Sequence, residues 1–355
     1  VLVFATADRD QRIEDLKSIR RGHSSHTHWV IANYAKLDEL AEIDWGVVIL
    51  DEAHTLCNDD TRVHANFAQL REWNPATPLL AVSATPLRNS LDDFQALLQL
   101  LGEEIDEQGD WVDSLHTRGG ILRRTAVQVG LQLPDCSVIN HPVWLADHEQ
   151  AAYRNALQSP SPDSLSPGGR CAVLQIGTVT SHCDMRTFCQ TRTDFFALSN
   201  SAKQLRLMEL IESRLLMCGE WPMRVVVASR YTAFLKVMAR TLSRLGTPVT
   251  ALYIGGEISI QRRCTIVEQF QNARIAQHFV LLLSTHTGGE GIDLTEATDI
   301  YLVDSCSDYS PHAESQTIGR IWRLGQCRRT RAHRLIAIGT CDEMVTERFH
   351  VAKRL

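Results

Sequence analysis

The apolar run Val47, Val48, Ile49, Leu50 leads without a break into Asp51, Glu52, Ala53 and His54. Four strand-forming residues followed by two acids put the carboxylates at the carboxyl end of a strand, the edge at which open α/β sheets bind ligands. Burying both acids unpaired would be costly, so they are expected to face a crevice rather than the core. A carboxylate pair in that position suits nucleoside triphosphate hydrolysis, in which one acid holds Mg²⁺ and its neighbour orients and deprotonates the attacking water. Asp51 is the candidate metal ligand and Glu52 the candidate base. A strand ending in a solvated acidic turn would leave the same four letters, so the surrounding residues must decide.

A second apolar run, Leu79 to Val82, ends in Ser83, Ala84, Thr85 and Pro86. Hydroxyls placed there can relay a change at a neighbouring carboxylate through hydrogen bonds, although Ser83 and Thr85 could equally cap the helix that follows. Far along the chain, Gly288, Gly289 and Gly291 form a turn whose backbone N–H groups can approach phosphates closely. Arg320 and Arg323 lie three apart on a helix predicted near His312 to Leu324, and so share a face. Guanidiniums aimed at a γ-phosphate stabilise the charge that builds in the transition state, worth up to ~10³ to 10⁵ in rate. The rival reading is a solvated basic face that continues into Arg328, Arg329 and Arg331.

The elements that must position these residues follow an alternating pattern. Short apolar runs separated by helix-length amphipathic stretches predict an α/β fold of parallel sheets covered by helices. The first third carries strands at Val1–Phe4, Trp29–Ala32, Val47–Leu50 and Leu79–Val82, with helices around Asp10–Ile19, Thr61–Trp73 and Leu91–Leu101. From Gly102 to about Asn200 the pattern weakens, and Pro160, Pro162, Pro167, Gly168 and Gly169 mark a loop or linker. Alternation then returns, with strands at Val225–Ala228, Val249–Ile254, Phe279–Leu283, Ile300–Val303 and His333–Ile338. Helices are expected near Ala233–Leu245, Ile260–Gln271 and His312–Leu324, and one more at the end of the chain. The expected division is therefore 1–102, 103–200 as insertion and linker, and 201–355.

At 355 residues the chain can hold two domains, each with its own core. A net charge of −6 argues against coating nucleic acid by bulk electrostatics, so any such contact must come from a local groove. Ten cysteines without a C-x-x-C pair fit reduced thiols rather than a disulfide framework, and the spacing of His182, Cys183 and Cys189 does not suit a tetrahedral zinc site. No apolar run reaches the ~20 residues that a membrane span needs.

Val47 to His54 together with Val82 to Phe94 resembles motifs II and III of superfamily-two helicases, in particular the Swi/Snf-type double-stranded-DNA translocases. Ile121 to Thr125, with Leu133 and Pro134, is similar to the segment joining the two lobes of that group. Val225–Ser229, Ser284–Thr295 and Gln316–Gln326 resemble motifs IV, V and VI, in the family's order. The resemblance implies two RecA-like lobes using ATP and Mg²⁺ and moving on double-stranded DNA or chromatin. It also implies a nuclear setting, with remodelling-complex subunits as partners and either remodelling or DNA repair as the role. It further implies that Gln316, Gly291 and Asp293 lie near the nucleotide and that His54, Ser83 and Thr85 are coupling residues. Ser284, Thr285, Gly288 and Gly289 would contact the DNA backbone. Trp322 and Tyr309 read as core aromatics ahead of base-stacking platforms.

One part of the pattern is missing. The family's phosphate loop ends in Gly-Lys-Ser or Gly-Lys-Thr, whereas the five lysines here follow Leu16, Ala35, Ala202, Leu235 and Ala352. The expectation is a chain cut upstream, with an incomplete first lobe that exposes apolar sheet faces. A catalytically inactive piece that binds DNA or a remodelling partner is then the main alternative. A DEAH-type RNA helicase is a third reading, opposed by the Leu122-Arg123-Arg124 linker and by the form of Gln316–Gln326.

Overall fold

The computed structural model describes residues 2–4, 14, 17, 29–56, 61–83, 91–102, 120–125, 127–158, 201–219, 221–244, 249–272, 276–285, 291–304, 311–343 and 346. The chain divides into two compact units, Val1–Arg123 and Arg124–Leu355. Every strand pairing among the described residues is parallel.

In the first unit β1 (Leu2–Phe4) pairs with β2 (Val30–Ala32), and β3 (Val48–Asp51) pairs with β4 (Leu79–Val82), Asp51 opposite Val82. The helices Arg62–Trp73 and Leu91–Leu100 lie where periodicity puts them. Thr61 starts the first of these by accepting the His64 N–H on its hydroxyl at 3.2 Å. Asn74 closes it: its buried side-chain amide donates to the Ala41 carbonyl at 2.7 Å and its oxygen accepts from the Trp45 N–H at 3.3 Å, tying the helix to the chain ahead of β3. Leu50, Phe67, Leu70 and Leu97 share one core. Ile31 on β2, and Ile49, Leu80 and Val82 on the β3–β4 pair, are 58%, 50%, 54% and 46% exposed, so both two-stranded sheets of this unit carry exposed apolar side chains. The helix expected at Asp10–Ile19 lies almost wholly outside the described residues, as does the one at the chain's end.

The second unit holds a six-stranded sheet in the order β5-β10-β9-β6-β8-β7. Its strands are β5 (Cys136–Val143), β6 (Arg224–Ser229), β7 (Val249–Ile254), β8 (His278–Ser284), β9 (Asp299–Leu302) and β10 (Thr330–Ala337). Every residue of β6 is buried. Val225 and Val227 enter one core with Leu207, Phe234 and Tyr301, while Val226 and Ala228 enter a second with Phe270, Leu281 and Ile300. Helices therefore cover both faces, which is why these strands read as unbroken apolar runs. Buried ion pairs lock the layers: Lys203 donates to the Val303 carbonyl at 2.7 Å and meets Asp342 at 2.5 Å, and the Arg334 guanidinium binds Glu314.

Two expectations fail. Residues 136–143, placed in the 103–200 linker, form β5, paired along its whole length with β10. It is an edge strand that carries Pro142 and the exposed Ser137 and Asn140, so the apolar signature of a central strand is absent. The helix expected at His312–Leu324 runs only from Pro311 to Ile318. Its continuation is stopped because the Arg320 carbonyl accepts the Leu294 N–H at 2.9 Å and the Ile321 carbonyl accepts the Gln326 side-chain amide at 3.0 Å. Gly319 sits at the break, where an added Cβ would lie 3.1 Å from the Ser315 carbonyl oxygen. Arg320 and Arg323 consequently do not share a helical face.

Candidate functional site

Asp51 and Glu52 emerge at the carboxyl end of β3, as the sequence requires. Asp51 is exposed, and its Oδ1 accepts the Glu52 N–H at 3.0 Å. Glu52 adopts φ 51°, the one positive φ at a non-glycine position among the described residues. Such a conformation costs on the order of 1–2 kcal/mol and needs outside support. Support comes from Tyr34, whose hydroxyl donates to the Asp51 carbonyl at 2.6 Å, and from Thr55, whose hydroxyl and N–H both donate to the Glu52 carbonyl at 2.9 and 3.0 Å. Burial, reinforced by the charges of Asp51 and Glu52, pushes the Tyr34 phenol well above its ordinary range, so it stays a neutral donor.

His54 links the acids to β4. Its Nδ1 lies 3.0 Å from the Ser83 hydroxyl and 3.3 Å from Glu52 Oε2. The shorter contact is the hydrogen bond, since Glu52 Oε2 has no partner of hydrogen-bonding geometry among the described residues. A single imidazole thus stands between the end of β3 and the end of β4. Thr85 lies outside the described residues.

Exposed and hard, Asp51 fits a Mg²⁺ held through one carboxylate, phosphate oxygens and waters. No group of three or more His, Cys, Asp or Glu that could hold a metal ion occurs among the described residues. The grip on the β and γ phosphates has no counterpart in the sequence, because no lysine follows a glycine.

In the second unit Arg323 is ion-paired with Asp293, both side chains about half exposed. Arg320 is 9% exposed, and its carbonyl is held by the Leu294 N–H. Gln316 is partly exposed on the short helix Pro311–Ile318, and Gly291 (φ 49°) is exposed ahead of Asp293. Ser284, expected to touch phosphate, is 1% exposed at the end of β8, so its side chain is not available for that contact. Thr285 beside it remains partly exposed, with its N–H bonded to the Ser229 carbonyl at 3.1 Å. Gly288, Gly289 and Tyr309 lie outside the described residues. Trp322, expected in the core, is 38% exposed and donates its indole N–H to the Pro134 carbonyl at 2.7 Å.

Reading the sequence alone missed the residue that joins these segments. The Gln326 side-chain amide donates to the carbonyls of Thr295, Ala297 and Ile321 at 2.9, 2.9 and 3.0 Å, and its oxygen accepts the Arg328 N–H at 2.9 Å. One buried amide fixes the Asp293 segment against the Arg320–Arg323 turn. Tyr34 was missed as well, being 17 positions from its acceptor.

The chain is similar to known proteins. Residues 23–119 match the SNF2-related domain and residues 202–325 the Helicase conserved C-terminal domain. The chain is 26% identical to the probable global transactivator of Orgyia pseudotsugata multicapsid polyhedrosis virus, covering 99% of this chain and 73% of that protein. It is also 26% identical to human SWI/SNF-related matrix-associated actin-dependent regulator of chromatin subfamily A member 1, over 88% of this chain and 31% of that protein. Among solved structures, the C-terminal part of the Fun30 ATPase domain superposes with a TM-score of 0.50 at 16% identity, covering 61% of this chain and 88% of that one. Parallel sheets under helices, with paired acids at the end of β3 and two arginines in the turn after the helix Pro311–Ile318, fit a helicase-like α/β protein of the RecA-like kind. Within that class the two family matches and the relatives support a Swi/Snf-type superfamily-two protein.

Proposed function

We propose that this chain is the ATP-hydrolysing part of a motor that moves on double-stranded DNA, with chromatin as its substrate and the nucleus as its setting. Asp51 would hold Mg²⁺, the ion that neutralises phosphate charge when bound. Glu52 takes the proton from the attacking water, and Arg320 and Arg323 stabilise the charge that develops on the transferred phosphoryl group. Gln316 and Gly291 flank the arginines, Asp293 aims Arg323, and Thr285 contacts the DNA backbone. The observation that carries the reading is the Glu52, His54, Ser83 sequence of contacts, which connects a strained catalytic acid to the next strand. A test is ATP hydrolysis with and without duplex DNA, measured on this chain and on a version extended upstream by a Gly-Lys-Ser/Thr loop and its strands. DNA-stimulated hydrolysis lost in Glu52→Gln is the expected result; equal rates in Glu52→Gln and its parent would refute it.

The absence of any Gly-Lys pair favours a second reading for these 355 residues alone, a chain that binds DNA or a remodelling partner without hydrolysis. Duplex DNA binding by this chain with no hydrolysis, and hydrolysis only in the extended version, would assign that role to it.

A further inference from the structure

The second unit carries a pocket at the amino ends of its strands, whereas Ser229 and Ser284 lie at the carboxyl ends of β6 and β8. A cavity of about 500 Å³ is framed by Arg214, Arg329 and Arg331 and by the hydroxyl residues Ser137, Thr298 and Thr330. Thr298 precedes β9, Thr330 begins β10 and Ser137 is second in β5, so the walls are the amino ends of three strands.

The arginines are pre-set. Asp299, fully buried, accepts from Arg214 Nε at 2.9 Å, and it meets Arg331 Nε at 2.7 Å and Nη2 at 3.2 Å. Arg214 Nη2 also donates to the Thr298 hydroxyl at 3.3 Å. These bonds occupy one side of each guanidinium and leave Nη1 of both without a hydrogen bond among the described residues. Thr330 supplies an independent sign. It is 1% exposed, lines the cavity, and its hydroxyl has no hydrogen-bond partner among the described residues. A buried hydroxyl and two half-used guanidiniums in one wall make a set of donors, with the exposed Asp135 as the lining carboxylate beside Arg329.

Three guanidiniums against Asp299 and the exposed Asp135, 3.6 Å from Arg329, leave about one net positive charge. That suits a discrete oxyanion and is too little for a track along a polyanion. We propose that this pocket binds the phosphate group of a small phosphorylated molecule. The cavity exceeds what a bare phosphate fills, leaving room for an organic part.

The test is titration of the full chain with inorganic phosphate and with ribose 5-phosphate, by calorimetry and ³¹P NMR, against chloride at matched ionic strength. Saturable binding is expected, weakened at least ~tenfold by Arg329→Ala and by Thr330→Val. Arg329 is largely exposed and valine matches threonine in shape, so both variants should keep the wild-type circular dichroism spectrum. Tighter binding of the sugar phosphate would place the organic part in the site, and equal binding would make free phosphate the ligand; either supports the pocket. No binding above chloride, binding that neither substitution weakens, or displacement of phosphate by duplex DNA would overturn it. None of these readouts depends on ATP hydrolysis.

Discussion

Arg323 reaches Asp293 across thirty positions of sequence, and the ion pair holds one of the two candidate phosphate-binding guanidiniums beside the Gly291 turn. Both side chains are half exposed, so the pair contributes only about 0–1 kcal/mol to stability. Its value lies in orientation. Asp293→Ala should leave the melting temperature within a degree or two of the parent while lowering kcat of DNA-stimulated hydrolysis ~10- to 100-fold in the extended version. Arg323→Ala should cost ~10³-fold or more. If Asp293→Ala melts normally and turns over normally, the orienting role is wrong.

His54 meets Ser83 at 3.0 Å while Glu52 lies 3.3 Å away, so the imidazole answers to both strand ends. Removing the hydroxyl with Ser83→Ala keeps Glu52 and the metal ligand in place. Basal hydrolysis in the extended version should therefore change by no more than ~3-fold, whereas stimulation by DNA should fall ~10-fold or more. The ratio of the two rates is the measurement; a proportional loss in both would make Ser83 structural only.

How far the sequence reveals this molecule depends on where each signal resides. β6 and β8 are legible because both faces are buried and the run of apolar residues reports it directly. β5 is not, because an edge strand with Pro142 and exposed Ser137 and Asn140 carries little apolar pattern, and its place is set by β10 nearly two hundred positions away. Asp51, Glu52, His54 and Ser83 can be picked out in two short segments, but the imidazole standing between Glu52 and Ser83 cannot, because it depends on how β3 and β4 pair. The true end of the helix at Ile318 is invisible, since it is imposed by bonds from Leu294 and Gln326, residues outside the helix.

Gln326 gives the clearest stability test. Truncating it to Ala leaves the Thr295, Ala297 and Ile321 carbonyls and the Arg328 N–H short of a partner in a buried setting, and each lost bond is worth about 1 kcal/mol. Gln326→Ala should destabilise the second unit by about 2–4 kcal/mol in urea denaturation of the full chain. Gln326→Glu should be at least as damaging, because a carboxylate would face three carbonyl oxygens. A loss below about 0.5 kcal/mol for both would show that the segments are held by something else.

Asp304 makes stability depend on pH in a direction opposite to that of most carboxylates. Burial pushes its carboxyl up to about 6, against the hydrogen bond from Ser229, the charge of Lys203 and the Arg230 N–H. Its unfolded value is the ordinary 3.8, so the folded chain holds a proton between about pH 4 and 6 that the unfolded chain has released. A raised folded pKa contributes stability that is complete below the unfolded value and is lost as pH rises through the folded one. Other acids run the other way: Asp299 is held well below its ordinary value because hydrogen bonds from His333, Thr298, Arg331 and Arg214 outweigh its burial. Bulk stability against pH would therefore mix the two signs, and a difference against Asp304→Asn isolates one. The asparagine chain does not titrate there, so wild-type stability minus Asp304→Asn stability should rise as pH is lowered from 7.5 to 4.5, by about 1–3 kcal/mol. Urea denaturation midpoints at four or five pH values measure it, and a flat or falling difference would mean that Asp304 is already ionised, stabilised by Lys203, throughout that range.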